Sequence, residues 1–392
     1  MARGLLGVMV IAVASTANAQ PRQTAPALVN VTEVVKLAPA SGFIDDPVAH
    51  DDQRIAYVVT DAATKAELHV VSLATHEDTV VDIAAVAMHP VALALAGNRA
   101  LVITLVDQGQ QSAAMVELAA KGKKPAGSVV YKLGPATNIT VIERDGKRVV
   151  AVHRTSEVKD AVRHEVSLFA LETGNRIATG RPLDVDAHDA SKPLDFRINH
   201  WSDGMTRAHG LKGGEWDKKE NQRTPDVEAT YDLVTGRFID RHPIEDLFEQ
   251  RKRYQALADA NGQLDFLRMT WDNSAVQLWR AGRPHPLELD QALQQYDPKS
   301  LQGIVAADGT AWFVLKVDPV NPDAVARKKA DPEYLDVFHA GSDGKAVRKA
   351  RVLATGLRHR FGLVGDRFWL LERSNSFDRG GRNLTVYQLT TP

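Results

Sequence analysis

The chain has 392 residues, a mass of 42.8 kDa, a net charge of −1 and a pI near 6.9. Lacking a basic excess, it has no overall field to draw it to nucleic acid or to an anionic membrane. It contains no cysteine, which excludes disulfides, thiolate metal sites, a cysteine nucleophile and a lipidated N-terminal cysteine.

The first nineteen residues read as a signal peptide. Arg3 gives the positive start, residues 5–14 the apolar centre, and Ala17-Asn18-Ala19 a small-x-small cleavage site. The apolar run is too short for a comfortable membrane span. The expectation is an exported protein, periplasmic or extracellular, without membrane insertion. Residues 20–28 (QPRQTAPAL) are polar and proline-containing, a short flexible leader. Residues 29–37 (VNVTEVVKL) are rich in β-branched side chains and read as a strand with no partner nearby in sequence.

From residue 43 onward one unit repeats. Tight-turn dipeptides, or close relatives, occur at Asp51-Asp52, Gly97-Asn98, Asp145-Gly146, Asp203-Gly204, Asn261-Gly262, Asp308-Gly309 and Gly365-Asp366. Gly, Asn and Asp tolerate the positive φ that two-residue hairpins need. The second members are spaced by 46, 48, 58, 58, 47 and 57 residues, and a feature returning at about 50 residues marks a repeat protein. A strand follows most of these turns. A further strand recurs at 67–73, 113–118, 165–171, 228–233, 275–280, 334–339 and 384–389, mostly with apolar and polar residues alternating. Several of these run into a shared turn, as in Leu171-Glu172-Thr173-Gly174 and Leu233-Val234-Thr235-Gly236.

Fourth strands are expected at 80–83, 129–133, 176–183, 237–244, 286–289 and 350–353. The seventh unit has none before Pro392, and the orphan strand at 29–37 fills the vacancy. Seven four-stranded units, spanning 29–392 and closed by an N-terminal strand that completes the last blade, make an all-β, seven-bladed β-propeller without a long open edge. Residues 247–259 are the one stretch left open between a helical turn and a strand.

The first unit, with DDPVAHDDQRIAYVV followed by AELHVVSLAT, resembles the repeat of TolB-like propellers, the PD40 or WD40-like group. The motif is partial in the third and seventh units and degenerate in the fourth and fifth. The resemblance implies blade architecture. TolB-like proteins also carry an α/β domain ahead of the propeller, which the few residues before the first unit do not provide, so its partner-binding role does not carry over.

The loops joining second to third strands are compared for chemistry. Three are long: 217–226, 318–333 and 374–382. All fall on one face, together with the connections between units, and one-sided growth points to a binding surface, neutral growth being the alternative. Lys328, Lys329, Asp378 and Arg379 supply its charge, and Trp216 and Trp271, beside Asp217 and Asp272, are suited to stacking on a sugar or anchoring a peptide. A packing role between blades is the alternative for both indoles. Asp61, Asp107, Asp217, Asp272 and Asp318 open these loops, and turn capping explains them better than a cation ring does.

The connections between units carry His89, His188 and His359-Arg360. These histidines are the candidates for a transition metal or for acid–base catalysis, provided they converge. The run Asp184-Val185-Asp186-Ala187-His188-Asp189 lacks the glycine and distal glutamate of a calcium loop. No G-x-S-x-G or H-E-x-x-H motif is present. The sequence therefore points to a monomeric, non-enzymatic binding or scaffold module without cofactor, for a protein, peptide or glycan. A hydrolase or lyase at the channel mouth is the alternative.

Overall fold

A computed structural model describes residues 31–389 except 40–41, 62–63, 89, 119–127, 160, 187–195, 203, 214–215, 224–226, 244–265, 271–274, 280–286, 290–295, 306–309, 318–332, 355–357, 365–366, 374–380 and 382. The second strand of blade 1, Arg54–Thr60, shows why this sequence makes blades. Its six residues 55–60 are all buried, on both faces of the sheet. Ala56 and Val58 pack into the seam with blade 2, whereas Ile55, Tyr57 and Val59 pack into the seam with blade 7. A strand sandwiched between two neighbours needs an unbroken apolar run, and each such side chain contributes about 1.5–3 kcal/mol on burial.

The other blades repeat the pattern. Strands Phe43–His50, Arg54–Thr60, Ala66–Ser72 and Asp78–Asp82 form an antiparallel meander in blade 1. Blades 2 and 6 also have four consecutive strands; blade 3 adds a fifth piece paired to its third strand, and blade 4 has four with a small separate hairpin between its second and third. Among the described residues, blade 5 shows three, at Phe266–Met269, Val276–Trp279 and Leu287–Leu289. The stretch 247–259, left open between helix and strand, lies outside the described residues. Apolar clusters join blades 7 and 1, 1 and 2, 2 and 3, 3 and 4, 5 and 6, and 6 and 7. The result is a seven-bladed β-propeller, as the repeat predicts.

The ring is closed as expected and then stitched again. Val31–Leu37 pairs antiparallel with Asn383–Leu389 and becomes the outer strand of blade 7, with Leu37 opposite Leu384. In addition, Ile44 in the inner strand of blade 1 exchanges two backbone hydrogen bonds with Gly381, at 2.8 and 2.6 Å. Gly381 is buried, and a Cβ there would lie 2.3 Å from Leu371 and 2.9 Å from the Glu372 carbonyl. Gly381 is thus held in the seam between blades 7 and 1.

A repeated arginine supplies a polar clasp that the repeat analysis overlooked. Arg54, Arg99 and Arg148 all stand at the starts of second strands, just after the turns. Arg54 donates to the Gly97 carbonyl at 2.6 Å, Arg99 to Glu172 at 2.8 Å and Arg148 to Leu95 at 2.7 Å, each in an adjacent blade.

Candidate functional site

The meander separates two faces. First-to-second and third-to-fourth turns lie on one, here the turn face. Second-to-third connections and the links between blades lie on the other, here the loop face. Among the described residues, aspartates cap short turns on the turn face. Asp51 accepts from the Gln53 and Arg54 amides at 3.0 and 2.8 Å. Asp232 accepts from Val234 and Thr235 at 2.8 and 3.2 Å and binds Arg144 of blade 3 at 2.9 Å. Burial opposes ionisation of Asp232, but Arg144 and those amides outweigh it and hold the carboxyl below the usual range.

The loop face is irregular. Inner strands shift register near their loop-face ends in blades 1, 2, 4 and 6, between Ile44 and Val48, Pro90 and Ala92, Ile198 and His200, and Asp297 and Gln302. Bulges of this kind re-aim side chains and terminate pairing. In blade 6 the Ser300 hydroxyl holds the bulge, donating to the Asp297 carbonyl at 2.6 Å and accepting from the Lys316 amide at 2.8 Å. In blade 1, Asp61 accepts from the Thr64 and Lys65 amides at 2.7 and 2.8 Å, which is the turn-capping role expected of it.

In blade 3 the second and third strands outrun the inner strand on this face. Its first strand, Asn138–Arg144, ends opposite His153, but its second and third strands run on as Lys147–Val158 and Ala161–Ala170. The hairpin extends five residues beyond the inner strand, about 16 Å at strand rise. Its outer strand follows it upward in two pieces, Arg176–Thr179 and Leu183–Asp186, the second paired with residues 161–164. The extension leaves no long loop in the sequence, because it is folded as strand. Its trace was the alternation in AVRHEVSL and the polar stretch at 155–160. In the following blade, blade 4, the second-to-third connection carries its own small hairpin, Trp216–Asp217 against Gln222–Arg223.

Between this wall and blade 4 lies a group of rings. Residues Val149, Ala151 and His153 alternate toward blade 4, and Val166 and Leu168 of the next strand face the same way. Toward the loop face this apolar seam becomes polar. His153 is fully buried, and its Nε2 lies 3.2 Å from Nδ1 of His164. Trp201 of blade 4 packs on both, with ring centres 5.2 and 4.8 Å away. His153 Nδ1 is buried without a hydrogen-bond partner among the described residues. Burial, with His164 adding to it, pushes His153 down to about 4. Burial also lowers His164, against the pull of Asp184, whose carboxylate is held by Arg163 at 2.7 and 2.8 Å.

A second buried polar cluster sits in blade 6. Asp336 is fully buried and lies opposite Arg351 in register. One oxygen accepts from the Tyr296 hydroxyl and from Arg351 Nη2, both at 2.6 Å, and the other from Arg351 Nε. Arg348 adds a longer contact at 3.4 Å. Burial and the Asp336 hydrogen bond push the Tyr296 phenol up to about 12.

Of the residues singled out in the sequence, Arg360 is described in full. It is exposed, in the inner strand Arg358–Val364 of blade 7, opposite Leu371. His359 stands beside it, its backbone opposite Glu372. Trp216 is placed by its backbone in the blade 4 hairpin. His89, His188, Trp271, Lys328, Lys329, Asp378 and Arg379 lie outside the described residues. Among the described residues, the imidazoles that meet are His153 and His164, a pair that no motif or spacing announces. Among the described residues no three His, Asp or Glu side chains form a metal-binding group, and no helix is long and apolar enough to cross a membrane.

No protein-family model matches the chain, and no curated protein matches its sequence. Solved structures with a similar outline include the WD40 domain of Toxoplasma gondii coronin, at 11% identity over 93% of this chain and 89% of that one, with a TM-score of 0.43. The β-propeller domain of the trilobed protease from Pyrococcus furiosus follows at 9% identity, 91% and 97% coverage and a TM-score of 0.40. A polysaccharide lyase aligns at 10% identity, 88% and 90% coverage and a TM-score of 0.35. Proteins so distant share the outline of the ring with this chain and carry no argument about its chemistry.

Proposed function

We propose that this protein is an exported, non-catalytic binding module that holds a protein, peptide or glycan partner on its loop face. The observation that carries this reading is one-sided growth on two adjacent blades. The extended hairpin of blade 3 and the small hairpin of blade 4 both lie in the second-to-third connections of neighbouring blades, while the described turn-face turns at Asp51 and Asp232 are short and capped. Extra structure concentrated on one face of a repeat fold is where such folds bind. The bulged inner strands at the same mouth support the reading. The TolB-like repeat grammar of blade 1 and the N-terminal signal are the grounds for placing the protein in the cell envelope.

The test is a pair of trimmed variants. Replacing residues 156–163 by a two-residue turn shortens the wall and leaves the Thr155–His164 pair, His153 and Trp201 in place. A matched variant alters the turn-face residues Lys147 and Glu172. Mature protein is used to capture envelope components, and each captured component is then titrated against both variants. Loss of binding in the trimmed wall alone supports the reading. Equal binding by both variants overturns it.

A further inference from the structure

We propose that the junction of blades 3 and 4 is an acid-released latch, in which protonation of the His153–His164 pair detaches Trp201 and loosens the tall wall of the loop face. The geometry carries the argument. His153 is fully buried inside the seam, shares one hydrogen bond with His164, and is covered by the indole of the next blade. Two neutral imidazoles joined in this way hold one proton between them. The arrangement that leaves the fewest unmet donors has His153 Nε2–H donating to His164 Nδ1, with the bare His153 Nδ1 facing the seam. An added proton must then sit on that nitrogen, where no acceptor is described, or break the bond between the rings. Either way a cation forms in an apolar seam, and opening the seam relieves it.

The charged groups around the pair do not offset this. On the side of blade 3 that faces blade 4 stand Arg144, bonded to Asp232 at 2.9 Å, and the exposed Glu157, four residues beyond His153 along the wall. Blade 4 contributes Arg207, Lys212 over the Phe238 ring, and His209, whose Nδ1 is 2.9 Å from the Thr230 hydroxyl. His200 stands opposite His209 in register. Asp184 raises His164, but that carboxylate is already engaged by Arg163. The cluster is therefore poor in carboxylate to receive a second proton.

The direction in pH follows. The closed junction holds His153 well below its ordinary 6.5, at about 4, whereas an opened junction returns it toward the ordinary value. The closed state keeps its full advantage above pH 6.5 and loses it as the pH falls toward 4. The consequence for partner binding rests on the loop-face reading above; opening itself is measured without a partner, so the two can fail separately.

The experiment is amide hydrogen exchange on the purified protein at pH 7.5 and pH 5, corrected for intrinsic rates. Segments 147–170 and 197–212 are read against segment 54–72 of blade 1. The expected result is opening on the order of tenfold more frequent at pH 5, the equivalent of one unit of proton linkage, in the first two segments only. The change should vanish in His153→Leu, which keeps the bulk and removes both nitrogens. An equal change in blade 1, the same change in His153→Leu, or no change at all overturns the proposal. Should that variant not fold, the ring of His153 is titrated by NMR in the wild type. Protonation of the folded protein at pH 6 or above overturns the latch, and protonation only below pH 5 supports it.

Discussion

The ring contains two buried polar clusters, one in blade 6 and one between blades 3 and 4, built to opposite rules. In blade 6, Asp336 has both oxygens engaged, by Tyr296 and by two nitrogens of Arg351. In the seam of blades 3 and 4, His153 has one nitrogen engaged by His164 and the other without a partner among the described residues. Both aspartate and histidine are fully buried. A satisfied cluster fixes one arrangement of strands and resists change, whereas a half-satisfied one is held closed mainly by its apolar surroundings and responds when its charge changes. Blade 6 is thus fastened, and the foot of the blade 3 wall is left adjustable.

The largest effect is expected at Asp336. Asp336→Ala strands the Arg351 guanidinium and the Tyr296 hydroxyl in the seam, and is expected to cost about 3–5 kcal/mol in denaturant unfolding. A loss under 1 kcal/mol, by the same measure of a buried charge left alone, would show that the cluster is not the fastening described.

The opposite sign is expected in the other seam. His153→Leu removes an unmet polar atom, so at pH 8 it should match or exceed the wild type in stability. Its loss of stability between pH 7.5 and pH 5 should be smaller than that of the wild type by about 1–2 kcal/mol. Chemical denaturation at the two pH values checks both statements, and parallel losses in the two proteins would contradict them.

Tyr296→Phe is the finer probe. It removes one hydrogen bond from Asp336 and leaves the two from Arg351, at an expected cost of about 1 kcal/mol. A cost near that of Asp336→Ala would mean that the tyrosine, not the ion pair, organises the cluster. The smallest effect belongs to Asp184→Ala. Its pair with Arg163 is exposed, and exposed pairs contribute little, so the thermal midpoint at pH 8 should not move measurably. What should move is His164, which loses the field that raises it and titrates lower still by NMR.

Most of the ring was legible because its signals are local. Turn dipeptides such as Gly97-Asn98 and Asp145-Gly146 demand positive φ, and both glycines adopt it, at 57° and 69°. Apolar runs such as residues 55–59 can be buried on both sides in few ways. The vacancy after the last third strand and the orphan at 29–37 implied their pairing, because an open edge in a ring is costly to leave.

The candidate site was much less legible. Long loops are conspicuous in a sequence, but the wall of blade 3 is made of strand and so hides among ordinary strands. His153 and His164 lie eleven residues apart on a hairpin, and Trp201 comes from the next blade.

Periodicity and turn chemistry act over a few residues, so the sequence alone determined the blades, their number and the strand that closes them. Which buried polar atoms are satisfied depends on side chains brought together from different strands and different blades. That was decided only by the tertiary structure, because a hydrogen bond and a ring contact each require ångström-scale placement that no repeat in the sequence encodes.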